Sequence, residues 1–165
     1  MHFQQAQTDI LDWISGFVEA PNAQLNGWSP CPYARRARLN GELEIRPGII
    51  DPYTDLQPVI MGNKTVIAYV YDPNQFTAQE FVHQIRSVNM GFLIPRNIIA
   101  LADHPDGKEE INGVVMNQGT WAIAFVQPLD ELNRFARLIA DKGYYEGWCE
   151  DYLKELFEFR QDPRQ

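Results

Sequence analysis

The sequence predicts an α+β domain, a two-layer α/β arrangement in which a four-stranded mixed sheet, close to ferredoxin-like, carries helices mainly on one face. Three observations point there. Residues 64–71 (KTVIAYVY), 97–102 (NIIALA) and 120–126 (TWAIAFV) are short runs rich in β-branched and aromatic residues, the composition of central strands. The first two flank a stretch with helical periodicity, which makes a β-α-β unit with parallel strands. The chain has 165 residues, 45% of them apolar, enough for one domain with a real core.

Taken in order, residues 8–20 form the first helix, with Thr8 as its N-cap and Ile10, Leu11, Ile14, Phe17 and Val18 on one face. Pro21-Asn22 stops it. A loop rich in Asn, Pro and Gly leads to Cys31-Pro32. Pro32 suits the first position of a short helix through Leu39, because its missing N–H costs nothing there, and this puts Cys31 at the N-cap. Residues 42–46 alternate with period two and form an edge strand after the Asn40-Gly41 turn. Residues 49–63 give no firm pattern.

In the β-α-β unit, Thr77 and Glu80 form a capping box, and Phe76 and Phe81 a hydrophobic staple. Phe81, Val82, Ile85 and Val88 are the buried stripe, and Gly91 is the expected stop. Residues 103–119 are a polar loop with a short apolar piece at Val114-Val115. A loop of that length in a small domain is usually functional. After the third central strand, Pro128-Leu129-Asp130 opens a helix with Leu132, Phe135, Ala136 and Ile139 inward. A last helix carries Tyr152, Leu153, Leu156 and Phe157 inside and an acidic outer face.

A net charge of −8 argues against a nucleic-acid footprint or an anionic membrane surface as partner. No apolar run reaches the roughly 18 residues of a membrane span, and no basic-then-apolar leader opens the sequence, so a cytoplasmic chain is expected. Cys31 and Cys149 then read as thiols. No Gly-rich phosphate loop, Gly-x-Ser-x-Gly, Cys-x-x-Cys or His-x-x-x-His occurs, so no cofactor or metal is implied.

The stretch with the best case for chemistry is Trp28 to Arg38. A thiol at a helix N-terminus, followed by Arg35, Arg36 and Arg38, is drawn toward thiolate, the nucleophilic form. The same three cations suit a small anionic ligand, with Trp28 and Tyr33 as neighbouring binding groups. The plain alternatives are a buried apolar cysteine and a solvated run of arginines. His104, at the carboxyl end of a central strand, is the expected base for Cys31, with Asp103 or Asp106 fixing its tautomer; Cys31, His104 and Asp106 form the catalytic set. Against this, Pro105-Asp106-Gly107 is an ordinary turn sequence.

Cys31-Pro32-Tyr33-Ala34, His104-Pro105-Asp106 and Gly147-Trp148 occur in that order, and the layout around them resembles a bacterial family of unknown function marked by a Cys-Pro-Phe-Ala motif. Tyr33 stands where that motif has Phe, and Arg35 where a lysine is expected. The resemblance implies the order of elements and the choice of site, without a reaction. Two functions remain in view. One is a cysteine-dependent or anion-binding small-molecule site. The other is a non-catalytic interaction or homodimerisation module, suggested by four tryptophans and seven tyrosines.

Overall fold

A computed structural model describes residues 2–160. At its centre is a mixed four-stranded sheet in the order β1-β2-β6-β3, made of Leu43–Pro47 (β1), Val66–Tyr71 (β2), Ile98–Asp103 (β3) and Ala122–Pro128 (β6). β1 is parallel to β2, while β6 runs antiparallel to both β2 and β3. β2 and β3 are therefore parallel to one another with β6 inserted between them, the split β-α-β of ferredoxin-like sheets. The edge strand β1 departs from that pattern by running parallel to β2, its neighbour. A short hairpin, Glu110–Ile111 (β4) with Val114–Val115 (β5), occupies the polar loop. Asn112 and Gly113 turn it with positive φ values of 51° and 81°, the geometry of a tight hairpin turn.

Helices cover both faces of the sheet, which corrects the expectation that they lie mainly on one. The reason is visible in β2, where every residue after Val66 is buried and neither face can be left to water. On one face, Pro52–Leu56 (α3) and Ala78–Val88 (α4) pack Leu56, Phe81, Ile85 and Val88 onto Tyr69, Tyr71, Ala100 and Ala124. On the other, Phe3–Trp13 (α1) lays Ala6 and Ile10 on Ala68, Val70 and Ile123. Leu129–Ala140 (α5) lies on this second side too, in contact with β6 and β3. Gly48, just after β1, is required because a Cβ there would stand 2.0 Å from the Tyr71 ring.

Several boundaries differ from expectation. α1 begins at Phe3, and Thr8 is inside it, its hydroxyl donating to the Gln4 carbonyl at 3.2 Å. The buried stripe starts at Ala6, two residues ahead of Thr8, and that burial decides the start. A π-helical turn, Ile14–Val18, continues α1. Ala34–Leu39 (α2) starts later than expected, with Tyr33 at the cap position, and Cys31 lies in the turn before it. The Thr77–Glu80 capping box on α4 is present in full.

Gly91 does not stop α4. The helix passes into a π-helical turn, Asn89–Leu93, that carries Gly91 within it. That turn holds the fully buried Asn89, whose side-chain amide donates to Ala100 O and whose carbonyl accepts from Ala100 N, both at 2.8 Å. Residues 49–63 contain α3, with Pro52 at its start and Asp51 accepting from Thr54 N at 2.7 Å.

The remaining aromatic residues build a third cluster beyond the sheet. Leu25, Ile111, Val114, Ile139, Tyr144 and Trp148 form its buried part, joined by Trp28, Tyr33 and Tyr152. Glu150–Phe159 (α6) closes the described chain. No helix among the described residues is long and apolar enough to cross a membrane.

Candidate functional site

The second face of the sheet is not filled. Between β3 and β6 below, the end of α1 on one side and α5 on the other lies a cleft of about 460 Å³. Leu101 and Gln127 form its floor, Trp13 and Phe135 its sides, and Trp148 and Tyr152 its far wall. A second lobe of about 300 Å³ shares Trp13, Cys31, Leu101 and Phe135 and extends toward Leu43 and Arg36. Volumes of this size, apolar with a few polar groups, are typical of small-molecule sites.

Period-two alternation decides which part of β3 faces the cleft. Leu101 and Asp103 point into it and Ala100 packs on the α4 face, while the cleft reaches round the edge strand β3 to touch Ala102 and the Val82 and Ile85 side of α4. Asp103 stands at the strand's end with Oδ1 accepting from the Asn117 amide at 2.7 Å. Its Oδ2 is buried and bonded to nothing among the described residues. Burial raises its pKa from 3.8 to about 6, with the Glu109 charge acting in the same direction and the Asn117 bond opposing. Glu109 accepts from the Tyr152 hydroxyl, and its backbone N–H donates to Asn117 Oδ1 at 2.9 Å. The β4–β5 loop is thus tied to both walls of the cleft.

Cys31 lines both lobes. Its backbone N–H donates to Val18 O at 3.0 Å, and the Tyr144 hydroxyl donates to the neighbouring Pro30 O at 2.7 Å, so the turn is pinned. Solvent reaches the residue, but its sulfur sits against the cleft walls and desolvation dominates. Burial pushes the thiol up, outweighing the Tyr33 and Ala34 amides and the more distant Arg160, which pull it down. The expectation of a thiolate at a helix N-cap is thereby corrected in direction, because the residue precedes a helix of only six residues and stands among apolar walls.

His104 does not meet Cys31. Its side chain falls on the opposite face, 2% exposed, with its ring 5.8 Å from that of Phe81. Nε2 lies 3.0 Å from Phe76 O and 3.2 Å from Pro73 O, and Nδ1 accepts from Asp106 N at 3.1 Å. Those partners require the neutral tautomer protonated on Nε2 and leave no ring nitrogen for catalysis. His104 fastens the turn after β2 to the end of β3. Asp106 is exposed and contributes its backbone to that fastening.

The arginines do not converge either. Arg38 is committed to Glu19, with Nε–Oε2 at 3.0 Å and Nη2–Oε1 at 2.5 Å. That bond holds the Glu19 carboxylate below its ordinary range. Arg36 borders the second lobe, and Arg35 is exposed. Tyr33 stacks on Phe135 with centroids 4.3 Å apart and lines both lobes. Trp28 meets Tyr144 edge-on at 5.6 Å within the third cluster, behind the cleft wall.

Sequence reasoning passed over Trp13, Trp148 and Arg160 as site residues and gave Asp103 only a supporting place beside His104. Asp103 had one usable signal, a carboxylate ending an apolar strand. Arg160 had none, since its place depends on how α6 folds back. Among the described residues no group of three or more His, Cys, Asp and Glu side chains could hold a metal ion. No protein-family model, curated protein or solved structure matches the chain. The resemblance to the Cys-Pro-Phe-Ala family therefore rests on its three short motifs alone.

Proposed function

We propose that the chain binds a small, flat, largely apolar molecule in the cleft between the sheet and the aromatic cluster. One observation carries the reading. Of the buried polar side-chain atoms that lack a partner among the described residues, Trp13 Nε1, Trp148 Nε1, Asp103 Oδ2 and Arg160 Nε all belong to residues lining this one cleft. A buried donor or acceptor left unpaired costs about 1–3 kcal/mol, so natural structures rarely gather several in one place without a purpose. Cys31 serves this site as a wall group whose thiol stays protonated. The two free thiols suit a reducing compartment such as the cytoplasm.

The test is direct. A naphthalene-sized probe, 2-naphthamide, should quench tryptophan fluorescence saturably and slow alkylation of Cys31 by iodoacetamide in a Cys149→Ser chain. Alkylation of Cys31 at an unchanged rate under saturating probe would overturn the reading.

A second reading, association of two copies, has its own support. Ile49, Ile50, Tyr53 and Phe92 are exposed around α3 and the π-helical turn, with Tyr53 and Phe92 in edge-to-face contact at 6.0 Å. Sedimentation showing one monomeric species from micromolar to millimolar concentration would remove it.

A further inference from the structure

We infer that the ligand of this cleft is an aromatic carboxylate, with Arg160 as the group that receives its charge. The inference rests on the cleft reading above and adds the class of molecule. Arg160 follows α6 directly and is held there by its own carbonyl, which accepts from the Asn133 amide at 3.0 Å. Its side chain lines the cleft beside Tyr144, Trp148 and Tyr152.

Cys31, Tyr144 and Tyr152 line the same cleft, and the Arg160 charge lowers the pKa of each against the larger upward effect of burial. Nε is buried without a hydrogen-bond partner, and among the described residues no carboxylate lies within ion-pair distance of it. A cation drawn partly out of water and left unmatched is unfavourable until an anion joins it.

The nearby acids do not fill that role. Glu109 is engaged by the Tyr152 hydroxyl. Asp103 lies at the end of β3, with Oδ1 bonded to Asn117 and Oδ2 buried and, like the Arg160 Nε, without a partner among the described residues, so the two do not meet. Arg86, the other cation on the lining, is exposed.

The neutral groups agree with an acceptor-rich ligand. Trp148 is 91% buried and Trp13 stacks on Phe125 at 6.0 Å, and each keeps an indole N–H without a partner. Carboxylate oxygens accept from such donors, and a guanidinium binds them with charge assistance. Leu101, Leu132 and Phe135 supply an apolar stretch of lining that fits a flat body, with Gln127 as the polar group of the floor.

The experiment compares 2-naphthoate with 2-naphthamide, which share shape and differ in charge, by calorimetry on the full chain. Naphthoate should bind at least about tenfold more tightly, the scale of a charge-assisted bond. In Arg160→Gln that ratio should fall to near one through loss of naphthoate affinity, while Arg35→Gln should keep it. Equal binding of the two probes by the unsubstituted chain, or a ratio that survives Arg160→Gln, would overturn the inference and leave the cleft reading standing. Failure of both probes to bind would bring down the cleft reading and the inference together.

Discussion

The two faces of the sheet are built from alternate residues of the same strands, yet they are finished in opposite ways. Toward α3 and α4 the surface is closely covered, with Ala100, Ala122 and Ala124 fully buried between Tyr69, Tyr71 and the helix residues Phe81, Leu56 and Val88. Toward α1 and α5 the helices stand apart, and Leu101, Phe125 and Gln127 border open volume. One face spends its surface on close packing, where a missing methylene is felt at once. The other leaves unpaired polar groups and empty space in the same place. The asymmetry separates where the chain is held together from where it is available to another molecule.

The largest way to probe that contrast is Phe81→Ala. This ring is fully buried and touches Tyr71, Phe76 and His104, so its loss should cost about 3–5 kcal/mol in urea unfolding. A cost below about 2 kcal/mol would mean the α4 face is not the tight one.

Next is Asp103, on the open face. Its carboxyl rises from 3.8 to about 6 on folding, so the folded chain holds the proton more strongly than the unfolded one. Stability from this group is full below about pH 4 and is lost as pH rises through 6, a change of about 2–3 kcal/mol at most. Asp103→Asn should flatten that window and stabilise the chain at pH 7. An unaltered slope between pH 4 and 6.5 would refute the assignment.

A neighbouring pair sharpens the comparison further. Ala100→Leu adds volume to the packed face and should cost about 1–3 kcal/mol, whereas Leu101→Phe adds it to the cleft and should cost under about 0.5 kcal/mol. Leu101→Phe should also weaken 2-naphthamide binding severalfold. Equal costs by thermal unfolding would erase the distinction between the faces. The smallest effect belongs to Arg35→Ala, an exposed side chain, which should change stability by no more than about 0.5 kcal/mol. A larger loss, or loss of naphthoate binding, would restore the arginine run as the anion site.

The strands and α4 were legible because their signals are local. β-branched runs, a capping box and a period-3.6 stripe need no distant partner to be read. The apolar face of the first helix was read through Ile10 and Ile14, but its place was not, because nothing local says that this face lies on Ala68 and Ile123, across the sheet from α4. The site was half legible. Cys31 and Tyr33 do border the cleft, but the assumed charge environment required a helix start at Pro32 and a histidine on the same side of the sheet. Parity at the end of β3 defeats the latter, since Asp103, which faces the cleft, and His104, which faces α4, are consecutive. Arg38 was spent on Glu19, a partner nineteen positions earlier that no local pattern announces.

The Asn89 side chain has a consequence outside the site. β3 is the last strand on its side, so the N–H and C=O of Ala100 that turn away from β6 would be free to pair with any extended chain. Asn89 presents one donor and one acceptor to them, as a peptide unit of a fifth strand would. The sheet is therefore terminated from within at its middle, by a single amide rather than by charge or proline. In a crowded solution this sets the growth limit of the molecule: a stray strand meets a position already taken and finds no template there.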